Sequence, residues 1–125
     1  MKMKALSLLF LSLFSFTGMT ADWVDVSQQD VLKAENKDWL IIDVRSAEEF
    51  ADGHVPGAIN IAHTEIAEQL PSIIAHQNKP VVLYCRSGYR ARKAANVLSE
   101  NNFSDIRHLE GDMKGWLEAG LTVEK

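Results

Sequence analysis

The chain holds one cysteine, Cys85, and its neighbours give it the setting of a working thiol. It ends the apolar run "KPVVLYC" (79–85) and opens the turn "CRSGYR" (85–90). A thiol attacks as thiolate, a form favoured beside cations and at the start of a helix. Arg86 and Arg90 bring guanidinium groups that keep their charge at any ordinary pH. Gly88 lets the turn wrap tightly, because glycine takes positive φ at little cost. A helix starting within a few residues would aim unpaired backbone N–H groups at the sulfur, or at an anion beside it. The expected chemistry is nucleophilic attack by an ionised, accessible Cys85.

The charge pattern agrees. Between Gln69 and Ser99 there is no Asp or Glu, while Lys79, Arg86, Arg90, Arg92 and Lys93 all fall there. Attraction between exposed charges fades over roughly 8 to 10 Å in physiological salt. The two arginines of the turn itself therefore weigh more than the overall balance, and Arg92 and Lys93 read as the solvated face of the next helix. Other readings of the thiol fit less well. Free cysteine is often a small core hydrophobe, but a filler needs no arginine-bearing turn. One cysteine and four scattered histidines make no ligand cluster, so neither metal nor cofactor is expected. Nor does "CRSGY" look like the nucleophile elbow of a serine hydrolase.

The elements that must position this turn are legible along the chain. "WVDV" (23–26) is a short strand candidate, and Ser27 with Asp30 starts a helix through about Asn36. "WLIIDV" (39–44) suits a strand buried on both faces, and "SAEE" from Ser46 opens a second helix. "GHVPGAINI" is a turn followed by a brief strand. Residues 64–76 read as helical with an interruption at Pro71. After the strand at 79–85, Ala91, Ala94, Ala95 and Leu98 recur at helical spacing. "DIRHL" (105–109) is a last strand and "DMKGWLEAG" a last helix. Such alternation predicts an α/β fold with a largely parallel sheet and helices on both faces. In open sheets of this kind the ligand site lies at the carboxyl ends of the strands, which is where Cys85 falls.

The first residues, "MKMKALSLLFLSLFSFTGMTA", have the layout of a secretory signal peptide: two lysines, an apolar core, then small residues ending at Ala21. The apolar run is shorter than the roughly 20 residues that span a bilayer. Two parts are expected, a signal peptide (1–21) cleaved near Ala21 and one domain (22–125), the latter periplasmic in a bacterium and free of stable membrane association. Removing 1–21 takes Lys2 and Lys4 and no acid, so the whole chain's net charge of −4 becomes −6. That balance argues against nucleic acid as a partner. A monomer is expected.

At this point the residues resemble a known family. "CRSGYR" looks like the active-site loop of rhodanese-type sulfurtransferases. "LIIDVRSAEEFADGHVPGAINI" (40–61) resembles the family's strand end, acidic-aromatic helix and Gly-His-x-Pro-Gly-Ala turn. "LEGDMKGWLEAGLTV" (109–123) is similar to its C-terminal segment. The resemblance implies a five-stranded, mainly parallel sheet and a two-step reaction. Cys85 would take the outer sulfur of a donor such as thiosulfate as a persulfide, and a thiophilic acceptor, cyanide or a thiol, would collect it. The N–H groups of Arg86, Ser87, Gly88, Tyr89 and Arg90 would cradle the persulfide. Arg86 or Arg90 would hold the departing sulfonate, and Tyr89 would line the mouth or stand on its rim.

Phosphatases that share the fold resemble Cys-x5-Arg, whereas Cys85 to Arg90 is Cys-x4-Arg, the shorter loop of sulfur transfer; arsenate reduction meets the same objection. A catalytically silent binding or regulatory module is the alternative from another class. Asp43, Arg45, His54 and Trp116 are expected to be architectural, with Arg45 spaced to pair with Glu49. Asp112 departs from the family by standing where a second glycine is common, and Thr122 where proline is common. Both lie far from the thiol in sequence, so neither is expected to touch its chemistry.

Overall fold

The computed structural model describes residues 21–34 and 37–125. Strands β1 (Val24–Val26), β2 (Leu40–Asp43), β3 (Ile59–Asn60), β4 (Val81–Tyr84) and β5 (Ile106–Leu109) form one sheet in the order β1-β5-β4-β2-β3. Every neighbouring pair is parallel. Helices α1 (Gln28–Leu32), α2 (Ala47–Asp52), α3 (Ile66–Ile73), α4 (Tyr89–Glu100) and α5 (Asp112–Glu118) lie between and after the strands. The α/β architecture expected from the sequence is the one found.

The central strand is the key to the layers. All four residues of β4 are buried, because its two faces are both covered. Side chains alternate across a strand. Val81 and Leu83 therefore join Ile42 and Ile106 in a core beneath α3 and α4. Val82 and Tyr84 join Ile41 and Leu109 in a second core beneath α1 and α5. Ala91, Ala94, Ala95 and Leu98 form the fully buried face of α4. Their small side chains let the helix lie close over the sheet, which brings its first turn beside the end of β4.

Capping chemistry sets two of the helix starts. Ser27 and Ser46 each accept from the N–H three residues on, and Asp30 and Glu49 reach back in reciprocal capping boxes. The first of these helices stops at Leu32, short of the expected Asn36, which lies outside the described residues. The expected break at Pro71 is corrected: Pro71 sits inside α3, which tightens into a 3-10 turn (Ile74–His76) only after Ile73. Proline's fixed φ is itself helical, and on this exposed position only one hydrogen bond is forfeited.

Trp116 is fully buried in the second core, and its indole N–H donates to the Thr122 carbonyl at 2.9 Å. At the other end, Ala21 is buried in the first core. Its N–H donates to Asn96 Oδ1 at 2.8 Å, and Arg92 donates to its carbonyl. The expected signal segment otherwise lies outside the described residues, among which no helix is long and apolar enough to cross a membrane.

Candidate active site

Cys85 follows the last residue of β4, and α4 begins four residues later at Tyr89. The turn between them closes on Gly88, which has φ +118° and serves as the helix N-cap. A Cβ there would meet only the Asp112 carboxylate, at an ordinary 3.5 Å. The demand for glycine is thus conformational: L side chains rarely adopt this backbone geometry.

Two backbone N–H groups point at the sulfur. Gly88 donates to Cys85 Sγ at 2.9 Å and Ala91 at 3.4 Å. Ala91 is the third residue of α4, so its N–H is one of the donors that a helix leaves without an internal partner. Turn and helix start each supply one donor to the sulfur, Gly88 and Ala91; Gly88 belongs to the 86–90 set expected from the sequence, and Ala91 lies just beyond it. The expectation of an accessible sulfur is corrected, since Cys85 is 2 % exposed. It lies on the floor of its own loop, wrapped by the backbone that donates to it.

The outside of the turn is gripped by α5. Met113 N–H donates to the Cys85 carbonyl at 2.9 Å, and Lys114 N–H to the Arg86 carbonyl at 3.1 Å. The Cys85 N–H in turn donates to Asp112 Oδ1 at 3.1 Å. Asp112 is therefore not remote from the thiol: folding carries α5 against the loop. It is buried and holds φ +55° in the left-handed region, where glycine is the usual occupant.

The two arginines part company. Arg90, a half-buried member of the first turn of α4, makes two hydrogen bonds to Glu49 of α2, at 2.7 and 3.1 Å. The Arg90 hydrogen bond, against some burial and helped by Ser46, holds the Glu49 carboxyl down at about 2. Arg90 is correspondingly raised, first by that hydrogen bond and, among smaller causes, by the charge of Cys85. Arg86 is exposed, and among the described residues no side chain holds it. Ser87 is exposed too, and Tyr89 stands 70 % exposed on the rim with the Lys93 ammonium 5.0 Å from its ring.

The expected Arg45–Glu49 pair is also corrected. Arg45 is buried and grips Asp43 through three side-chain hydrogen bonds of 2.6 to 3.1 Å, with a fourth to the Gly53 carbonyl at 2.8 Å. Burial opposes its charge, but the bonds to Asp43 and that residue's charge outweigh it, so its pKa is raised. Tyr84 completes the cluster by donating to Asp43 Oδ2 at 2.8 Å and accepting from the Val55 N–H. These groups tie β2, β4 and the 53–55 turn together, the architectural role expected of Asp43 and Arg45. His54 serves the same turn: Nδ1 lies 2.9 Å from the Phe50 carbonyl, and its ring stacks on Phe50.

Arg92 does more than solvate a helix face. Its guanidinium lies 3.5 Å from the Trp23 ring centroid, and that indole stacks on His108 at 4.1 Å. A cleft of about 240 Å³ opens beside Arg86, between Arg45, Glu49 and Asp52 on one side and Met113 and Leu117 on the other. Two larger clefts, of about 420 and 350 Å³, lie away from the thiol.

A thiol at the carboxyl end of the central strand, with amides of a tight turn and a helix start on its sulfur, defines a class of site able to stabilise charge there. The comparison with known proteins places the chain: a family model for the rhodanese-like domain matches residues 27–119, and the chain belongs to that family. It is 35 % identical over 95 residues to the tRNA uridine(34) hydroxylase of Buchnera aphidicola subsp. Acyrthosiphon pisum. That match takes in 73 % of this chain and 29 % of the relative, so the chain spans under a third of the relative's length. A human single-domain sulfurtransferase has a similar fold, with a TM-score of 0.67 and 25 % identity, covering 78 % of this chain and 97 % of that one. A rhodanese-related protein from Thermoplasma volcanium gives a TM-score of 0.69 at 25 % identity, covering 82 % and 98 %.

Proposed function

We propose that the protein moves a sulfane sulfur from thiosulfate to a thiophilic acceptor through a persulfide on Cys85. In the first step the thiolate attacks the outer sulfur of thiosulfate. A Cys85 S–S bond forms, the donor's S–S bond breaks, and the electron pair leaves with sulfite. In the second step a nucleophile, cyanide or a thiol, takes the terminal sulfur, and the pair returns to Cys85. The observation that carries this reading is the pair of amides, one from the turn and one from the start of α4, on Cys85 Sγ. Fixed N–H donors stabilise sulfur charge in either step without having to reorganise.

Burial limits how the donor arrives. With so little of the sulfur exposed, only a small terminal atom reaches it unless the loop opens. Arg86 is the cation available to the sulfonate end, because Arg90 is held by Glu49. The first residues support export to the periplasm, with the mature domain acting as a monomer.

Intact-mass measurement after thiosulfate treatment tests the proposal. One added sulfur on the wild type and none on Cys85→Ser is the expected result. A folded wild type that gains no sulfur from thiosulfate or from other sulfane donors would favour the silent binding module instead. The curated relative's activity on tRNA offers a second reading, supported by the 35 % identity. It would require RNA to bind a chain of net charge −4, and an RNA-binding titration separates the two.

A further inference from the structure

His108 of β5 is buried with a carboxylate against each ring nitrogen. Nδ1 lies 3.0 Å from Asp25 Oδ1 of β1, and Nε2 lies 3.0 and 3.1 Å from the two oxygens of Asp112. The Trp23 indole stacks on the ring, and over that indole lies the Arg92 guanidinium of α4. A neutral imidazole has one N–H and can serve only one of two carboxylates; the doubly protonated ring serves both. Asp112 uses Oδ1 for the Cys85 N–H as well. The hydrogen bonds thus run from the edge strand through His108 and Asp112 to the backbone of the thiol.

We propose that His108 and Asp112 form a proton-dependent brace for the thiol loop, in which the charged imidazole holds the Asp112 carboxylate against the Cys85 N–H. Both act as positioning residues. The inference rests on the sulfur-transfer reading for its effect on rate, but not for the brace itself. When His108 loses its proton, one of the two carboxylates loses its donor and faces a ring lone pair. The grip on Cys85 then slackens and one positive charge is lost from behind the loop. Both changes disfavour building charge on the sulfur, so sulfur uptake should fall as the ring deprotonates. The geometry agrees with the direction of the titration. Burial opposes the imidazolium, but the hydrogen bonds and charges of Asp112 and then Asp25 prevail, raising His108 above the ordinary 6.5.

The test uses the full chain and two variants, His108→Gln and Asp112→Asn, the second keeping an acceptor for the Cys85 N–H. The first readout is the pH profile of persulfide formation from thiosulfate. The wild type is expected to show a falling limb above pH 6.5 that both variants lack, with Asp112→Asn slower about five- to tenfold at pH 6, the scale of weakening one charge-assisted hydrogen bond to a neutral one. A parallel loss at every pH, or a falling limb unchanged in His108→Gln, would mean a merely structural role and would overturn the proposal. The second readout is the NMR spectrum of the ring nitrogens, with both expected to be protonated at pH 6.5. A neutral single tautomer there would overturn the brace whatever the activity. If the wild type takes up no sulfur while the ring is doubly protonated, the transfer reading fails and the brace stands.

Discussion

Glu49 and Arg90, forty-one residues apart, meet in two hydrogen bonds that join α2 to the first turn of α4 beside the thiol. The contact fixes where Arg90 points and removes it from the set of free cations around the loop. Glu49 is held at about 2 against an ordinary 4.5. A depressed carboxyl contributes stability that is fully present above the unfolded value and lost as pH falls through the folded one. The melting temperature of the wild type should therefore exceed that of Glu49→Gln at pH 6, and the gap should close between about pH 4.5 and 2. A gap that persists unchanged at pH 2 would show that the carboxylate's charge is not what the contact depends on.

His108 works in the opposite sense. Its raised folded value means that its contribution is complete below about 6.5 and disappears as pH climbs through the folded value. Melting curves of wild type and His108→Gln should differ most in mild acid and converge on the alkaline side. Curves offset equally from pH 5 to 9 would contradict this.

Gly88→Ala tests the turn. The added methyl has room, since its nearest neighbour would be Asp112 at 3.5 Å, but φ +118° is foreign to alanine. A cost of about 1–3 kcal/mol is expected, together with displacement of the N–H that faces the sulfur. Denaturant unfolding should show the first, and a sulfur-uptake rate lowered more than tenfold the second.

Arg45→Met tests the buried ion pair. It strands Asp43, which is fully buried, without its cation. Removing one partner of such a pair costs about 3–5 kcal/mol. Urea unfolding should register that loss. Replacing both partners by apolar groups should cost less than removing Arg45 alone.

Cys85→Ser should leave the fold in place, since the change conserves size in a pocket that already supplies two N–H donors. Circular dichroism should match the wild type while the mass shift from thiosulfate vanishes. A sulfur adduct on the variant would move the chemistry off Cys85.

Much of this protein can be read along the chain, because short-range physics writes itself locally. An unbroken apolar run makes β4, alanines at helical spacing make the inner face of α4, and Ser–Glu spacing makes a capping box. A glycine before a helix start makes the tight turn of the thiol. Ionic partners were less legible. Arg45 lies four residues from Glu49 yet pairs with Asp43, and Glu49 reaches Arg90 instead. Asp112, twenty-seven residues beyond Cys85, turned out to hold its N–H. Its one sequence signal was an acid in a place that favours glycine. Local rules determine which elements form and where the thiol stands on the central strand. Which charges meet there, and how little of the sulfur meets solvent, is decided only when parallel crossovers bring α2, α4 and α5 together, because a side chain's partners depend on distance in space and not along the chain.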